Sequence, residues 1–134
     1  KPENSFVANF IGENNRLMGT VEAIKGNIAT VKTDSGDIVV ATKVNVGKVG
    51  DRATLSLRPE RIMVAPKKGK TPNTYSAKVE ELIYHGDHIR TRFSVCGHDD
   101  FIVKIPNSID NVDLKKGKQV DIGWMSEDCL ALDG

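Results

Sequence analysis

The sequence is written twice. TVEAI at 20–24 returns as KVEEL at 78–82, GDIVV at 36–40 as DDFIV at 99–103, and VGDRATLSLRPERIMV at 49–64 as KGKQVDIGWMSEDCLA at 116–131 without a gap. The third match sets Gly50 on Gly117, Leu57 on Trp124, Glu60 on Glu127 and Ile62 on Cys129. Three matches in one order point to duplication, and a duplicated unit this short is one supersecondary motif that buries its apolar face against its twin. Each half carries about five short strands, the number in a small Greek-key barrel.

The local patterns agree. After Gly12 the apolar period is two, the period of strands. NRLMGTVEAIKGNIATVKTDSGDIVVATKV reads as three strands, with turns at Gly26-Asn27 and Asp34-Ser35-Gly36. An alternating strand over 53–57 is interrupted at Pro59, which predicts a bend or a strand end there. In HIRTRFSV, Ile89, Thr91, Phe93 and Val95 share one face, and His88, Arg90, Arg92 and Ser94 the other. TYSAKVEELIY, DDFIVKIP, KQVDIGWM and EDCLALD complete the second half. Only the first dozen residues look helical: Phe6, Val7, Phe10 and Ile11 fall on one stripe that stops at Gly12. The expected organisation is all-β: a short helix at 1–12, a first barrel-like lobe at 13–66, a connecting loop at 67–73 and a second lobe at 74–134, the lobes sharing one core.

Composition narrows the functions. Among 134 residues, 19 Lys and Arg stand against 18 Asp and Glu, so no general field draws the chain to nucleic acid or an anionic membrane. No apolar run reaches the roughly 18 residues of a membrane helix. Two cysteines, Cys96 and Cys129, make neither a disulfide framework nor a CxxC motif; reduced thiols are expected, with a Cys96–Cys129 bridge left open. There is no GxxxxGK[ST], HExxH or GxSxG motif, so the chain is expected to be no enzyme by itself. His85, His88, His98, Cys96, Asp99 and Asp100 lack zinc-finger spacing and read as surface residues. Glu80-Glu81, Asp99-Asp100 and Glu127-Asp128 are adjacent pairs whose members point to opposite faces of a regular strand; they read as solvent charge rather than an acid/base dyad, or as an acidic rim for a cation such as a polyamine. Arg58 and Glu60 flank Pro59 where charge-assisted hydrogen bonds can brace a bend.

Three motifs carry a resemblance. PENSFVANFIG meets the pattern P-x-N-x-F-V-A-x-F-I-G through Pro2, Asn4, Phe6, Val7, Ala8, Phe10, Ile11 and Gly12. LSLRPERI, residues 55–62, resembles an R-P-E signature, and GWMSEDCLAL resembles a closing strand of the form W-x-x-E/D-x-C. Together they resemble the C-terminal regulatory region of ABC import ATPases, nearest to the spermidine/putrescine group, with the iron(III), maltose-type and sulfate importers as relatives. That region is a TOBE domain of two OB-like, MOP-like lobes.

The resemblance implies an interdomain hinge at Phe6, Val7, Phe10, Ile11 and Gly12, an R-P-E turn at Arg58, Pro59 and Glu60, and closing-strand positions at Trp124 and Glu127. None of these is catalytic in the family. It implies a non-catalytic regulatory and dimerisation domain, cytoplasmic and peripheral at the inner face of the membrane. Its partners would be a second copy, an ATPase domain and permease subunits, with no nucleic acid and no insertion into the bilayer. No cofactor or metal is expected here; ATP and Mg belong to an ATPase portion whose motifs this chain lacks. Beginning at Lys1, just before the hinge motif, the chain has the character of a piece of a longer protein. The rival expectation is a small-ligand module sensing an oxyanion or a polyamine.

Overall fold

A computed structural model describes residues 14–107 and 113–134. Ten strands follow one another: β1 (Asn15–Lys25), β2 (Ile28–Thr33), β3 (Ile38–Lys43), β4 (Arg52–Leu57), β5 (Met63–Val64), β6 (Asn73–Tyr84), β7 (His88–Val95), β8 (His98–Pro106), β9 (Gln119–Trp124) and β10 (Cys129–Asp133). Short 3-10 turns at Pro59–Arg61 and Ser126–Asp128 precede β5 and β10. The all-β expectation is met; the helix expected at 1–12 lies outside the described residues. No helix among the described residues is long and apolar enough to cross a membrane.

The strands form a closed barrel in the order β1-β2-β3-β10-β4 and a five-stranded sheet in the order β5-β9-β6-β7-β8. The last strand of each half therefore lies in the other half's sheet. β5 leaves the first half to pair with β9, Met63 opposite Gly123. β10 returns to the barrel, antiparallel to β4 and parallel to β3. Pro59 begins the first crossover: its fixed φ suits the start of a 3-10 turn and it cannot donate to a ladder.

The duplication is visible in the backbone. β1 is bulged between Val21 and Ala23, β6 between Val79 and Glu81. Opposite the bulges, Gly50 N–H bonds Val21 O at 2.8 Å and Gly117 N–H bonds Val79 O at 2.7 Å, with φ of 97° and 90°. Such φ values favour glycine, which explains why this pair repeats. The β3–β8 match needs one correction. The sequence sets Ile38 on Phe101, but Val39 faces Val31 as Phe101 faces Phe93. Val39 is buried and Ile38 is 47% exposed, so the correspondence slips by one residue, and a one-residue slip exchanges the faces of a strand.

Two asparagines join barrel and sheet reciprocally. Asn15 of β1 donates from Nδ2 to Ile102 O and accepts the Ile102 N–H at Oδ1, both at 2.7 Å. Asn73 of β6 donates to Val40 O at 2.9 Å and accepts the Val40 N–H at 2.8 Å. Asn15 and Asn73 are equivalent in the repeat, each opposite Leu57 or Trp124, and so are Val40 and Ile102. A carboxamide has the donor and acceptor of a peptide group, so each side chain acts as one residue of an extra strand. Tyr75, two residues beyond Asn73, adds a hydroxyl bond to Ile38 O.

One apolar cluster spans both sheets, from Leu17, Val31, Leu55 and Leu57 to Phe93, Phe101, Ile122 and Trp124. The alternation expected over 88–95 is present. β4 departs from its expected alternation: Ala53 through Leu57 are all buried, so its outer face is covered as well.

Asn73→Ala would remove both bonds and leave the Val40 N–H and C=O unpaired. A loss of about 2–4 kcal/mol in urea unfolding is expected, with Asn73→Leu faring no better although it fills the volume. Gly123→Ala should also destabilise, by about 1–3 kcal/mol. A Cβ there would stand 2.4 Å from Thr71 Oγ1 and 2.6 Å from the Asn73 carbonyl. Thr71→Ala in the same chain should restore only part of the loss, because the second obstacle is backbone.

Candidate functional site at the strand crossovers

The two crossovers meet. Arg58-Pro59-Glu60-Arg61 leaves β4 while Ser126-Glu127-Asp128 leads into its neighbour β10, and between them opens a cleft of about 190 Å³. Asn14, Ser56, Arg58, Arg61, Glu127 and Asp128 line it. Asn14 Nδ2 donates to Ser56 Oγ at 3.1 Å on the cleft wall, so the chain enters the barrel at this point.

Charge is distributed across the cleft. Arg61 Nε reaches Asp128 Oδ1 at 4.0 Å, linking the two turns, and Arg58 Nη1 lies 3.8 Å from Glu60 Oε2. These long, exposed pairs are worth about 0–1 kcal/mol and leave the guanidinium groups available to other partners. Glu127 makes no ion pair among the described residues. The cleft thus offers guanidinium groups from one half and carboxylates from the other.

Of the positions singled out from sequence, Arg58 and Glu127 are brought together here and Glu60 braces Arg58. Pro59 is buried beneath the turn. Trp124 is a core residue, fully buried, its ring centroid 5.1 Å from Tyr75 and 5.7 Å from Phe101. Its indole N–H finds no partner in hydrogen-bond geometry. Phe6, Val7, Phe10, Ile11 and Gly12 lie outside the described residues.

The remaining candidates are dispersed. His85 and His88 stack with centroids 4.7 Å apart at the β6–β7 tip, and His98 sits at the opposite end of β8, 4.0 Å from Asp100. No three His, Cys, Asp or Glu converge as metal ligands among the described residues. Glu80 and Glu81 depart from the expected alternation. The β6 bulge turns both toward the outer side of β7, where Glu80 accepts from Ser94 Oγ at 2.5 Å and Glu81 lies 3.5 Å from Arg92. The Ser94 hydrogen bond holds the Glu80 carboxyl below its ordinary range.

A second junction was not foreseen. Cys96 and Gly97 form a two-residue hairpin between Val95 and His98, with φ of 52° and 80°. Both residues are left-handed, as a type I′ turn requires, although cysteine carries a Cβ into that region. The turn packs on the β2–β3 turn: a Cβ on Gly97 would lie 2.9 Å from Ser35 Cβ. Both cysteines are free and buried. Burial first, then the neighbouring Asp37 carboxylate, pushes the Cys96 thiol up to about 12; burial likewise pushes Cys129 up to about 12.

A closed barrel and a sheet that trade their final strands define a double-lobed β module. The family model described as TOBE domain matches residues 55–132, and the chain belongs to that family. The chain is 31% identical to the spermidine/putrescine import ATP-binding protein PotA of Rubrobacter xylanophilus, over 99% of this chain and 35% of that protein. It is 32% identical to the PotA of Trichodesmium erythraeum, over 98% and 36%, and 36% identical to that of Roseobacter denitrificans, over 81% and 30%. The chain thus spans about a third of the length of these relatives. Among solved structures, the cytoplasmic molybdate-binding protein ModG superposes with a TM-score of 0.77 over 90% of this chain and 96% of that one. At 13% identity this likeness shows the fold alone.

The raised thiols set a pH dependence. The folded chain holds protons that the unfolded chain gives up near pH 9, so stability is present below that pH and is lost as pH climbs toward 12. Denaturant midpoints should therefore decline above pH 9. Cys96→Ser together with Cys129→Ala should flatten the decline, and the native chain should resist alkylation at pH 8.

Proposed function

We propose that this chain is the regulatory and dimerisation domain of an ABC importer's ATP-binding subunit, serving spermidine or putrescine uptake at the cytoplasmic face of the membrane. The observation that carries this reading is the alignment with PotA proteins across 99% of the chain but 35% of the relative. The aligned part is a module without nucleotide-binding motifs, beside which the relatives have room for a catalytic portion. ATP and Mg would be held by that portion, and permease subunits would be partners of the whole. In this reading Phe6, Val7, Phe10, Ile11 and Gly12 join the two portions, and the crossover cleft with Arg58, Glu60 and Glu127 faces a partner. Holding two ATPase subunits together makes their closure nearly intramolecular, raising effective concentration without any new catalytic contact.

A second reading has its own support. ModG has this fold and is a molybdate-binding protein, which favours a ligand-sensing module. Two measurements on the 134-residue chain separate them. Sedimentation equilibrium at tens of micromolar should give twice the chain mass if the module pairs subunits. Titration calorimetry with spermidine, putrescine and molybdate should then be flat. A monomer that binds one of these saturably would replace the first reading with the second.

A further inference from the structure

The two copies of the repeat differ in how they close. In the first half, β10 completes the barrel by pairing parallel to β3, Leu130 with Thr42 and Ala131 with Lys43. The Val44 N–H then bonds Ala131 O at 3.1 Å, and Thr42 Oγ1 donates to Ser126 O at 3.0 Å, tying the second crossover turn to the same strand. The second half holds the same parts in the same places. β5 is the counterpart of β10: Met63 and Val64 lie opposite Gly123 and Ile122 as Leu130 and Ala131 lie opposite Ser56 and Leu55. β8 is the counterpart of β3, with Ile102 in the place of Val40. Yet β5 and β8 stand at the two ends of an open sheet.

Two residues keep them apart. Four residues beyond Val40 stands Val44; four beyond Ile102 stands Pro106. Proline has no N–H, so the bond that the first half makes to Ala131 O has no equivalent at Val64 O. One residue beyond Val64 the chain turns aside. The Ala65 N–H still bonds Asp121 O at 2.7 Å, but Ala65 takes a left-handed φ of 52°, which its Cβ disfavours, and leaves the line that β10 follows through Leu132 and Asp133. Burial agrees: Ala131 is fully buried, whereas Val64 is half-buried and Ala65 exposed.

We infer that the first crossover, residues 58–65, is a movable arm: unlatched from β8, it rocks on its two ladder pairs with β9, while the matching crossover into β10 is held by β3. Pro59 and Ile62 stay seated in the core, so the movement is a rocking of the turn on two buried side chains, not a release. The crossover cleft then has a fixed wall, Glu127 and Asp128, and a movable wall, Arg58 and Arg61. The contact that spans them, Arg61 Nε to Asp128 Oδ1 at 4.0 Å, is a long, exposed pair that yields at little cost. A partner seated in the cleft selects one position of the arm by its differential affinity for that position. The device belongs to the fold and stands apart from dimerisation.

The test is residue-resolved hydrogen exchange and relaxation dispersion by NMR on the 134-residue chain. The Met63 and Ala65 amides should exchange about tenfold or more faster than those of their counterparts Leu130 and Leu132. Millisecond dispersion should appear at Arg58 and Arg61 and be absent at Glu127 and Asp128. Pro106→Val supplies the missing donor: exchange at Met63 and Ala65 should slow by about tenfold, and the dispersion at Arg61 should disappear. Val44→Pro removes the donor from the barrel and should speed exchange at Leu130 by a similar factor. Equal exchange of the two sets in the native chain, or rates at Met63 and Ala65 unmoved by Pro106→Val, would overturn the inference. Should Val44→Pro fail to fold, Pro106→Val decides alone. Subunit mass plays no part in either readout, so the result is separate from the test of dimerisation.

Discussion

Two carboxamides hold the architecture in register. A barrel and a neighbouring sheet have no shared ladder by right; each ends in backbone groups that need partners. Asn15 and Asn73 supply them by extending one peptide-like group from the first residue of β1 and of β6 onto the third strand of the other half. Because each bond pair fixes both a donor and an acceptor, it sets the position of Val40 and Ile102 to within one residue. Everything else follows that alignment. The Gly50 and Gly117 turns lock the bulges, β5 and β10 find their exchanged places, and the core closes around Trp124 and Leu57.

These clamps have a functional corollary. The crossovers are the only described places where backbone from one half passes into the other, and they lie side by side at the cleft. A TOBE domain built in this way presents one face made jointly by two copies of a motif. In the proposed reading, a neighbour docking on Arg58 and Glu127 would engage both halves at once, and a ligand or partner would shift the arrangement only by its preference for one state over another.

Much of this was legible in the sequence. The succession of strands along each half, the end of β4 at Pro59 and the alternation of β7 all follow from period and turn chemistry. The repeat announced two similar units; the R-P-E turn and the closing-strand motif fall at the two crossovers, although neither declares a crossing. The exchange of β5 and β10 was not legible, because pairing partners are set by tertiary contact and Met63-Val64 is too short to declare a sheet. The asparagines left a faint signal: extending the TVEAI and KVEEL match back by five residues sets Asn15 on Asn73. Asparagine is disfavoured in strands, so one repeated at a strand start is a candidate for side-chain pairing. Trp124, at the end of β9, is fully buried; a lone tryptophan in an aliphatic chain is claimed first by the core. Glu80 and Glu81 are surface charges as their sequence suggests, but they share one face because a bulge suspends the strand alternation.

The exchange of final strands also decides what a broken chain would do. A break in the loop at 66–72 would produce two pieces, neither of them a lobe. The first would hold four strands of the barrel and one strand of the sheet; the second, four of the sheet and one of the barrel. Each piece would lack the strand that the other carries, and each would keep an asparagine reaching across to its partner. Nicked in this way, the molecule behaves as a heterodimer with complementary vacancies rather than as two domains on a severed tether.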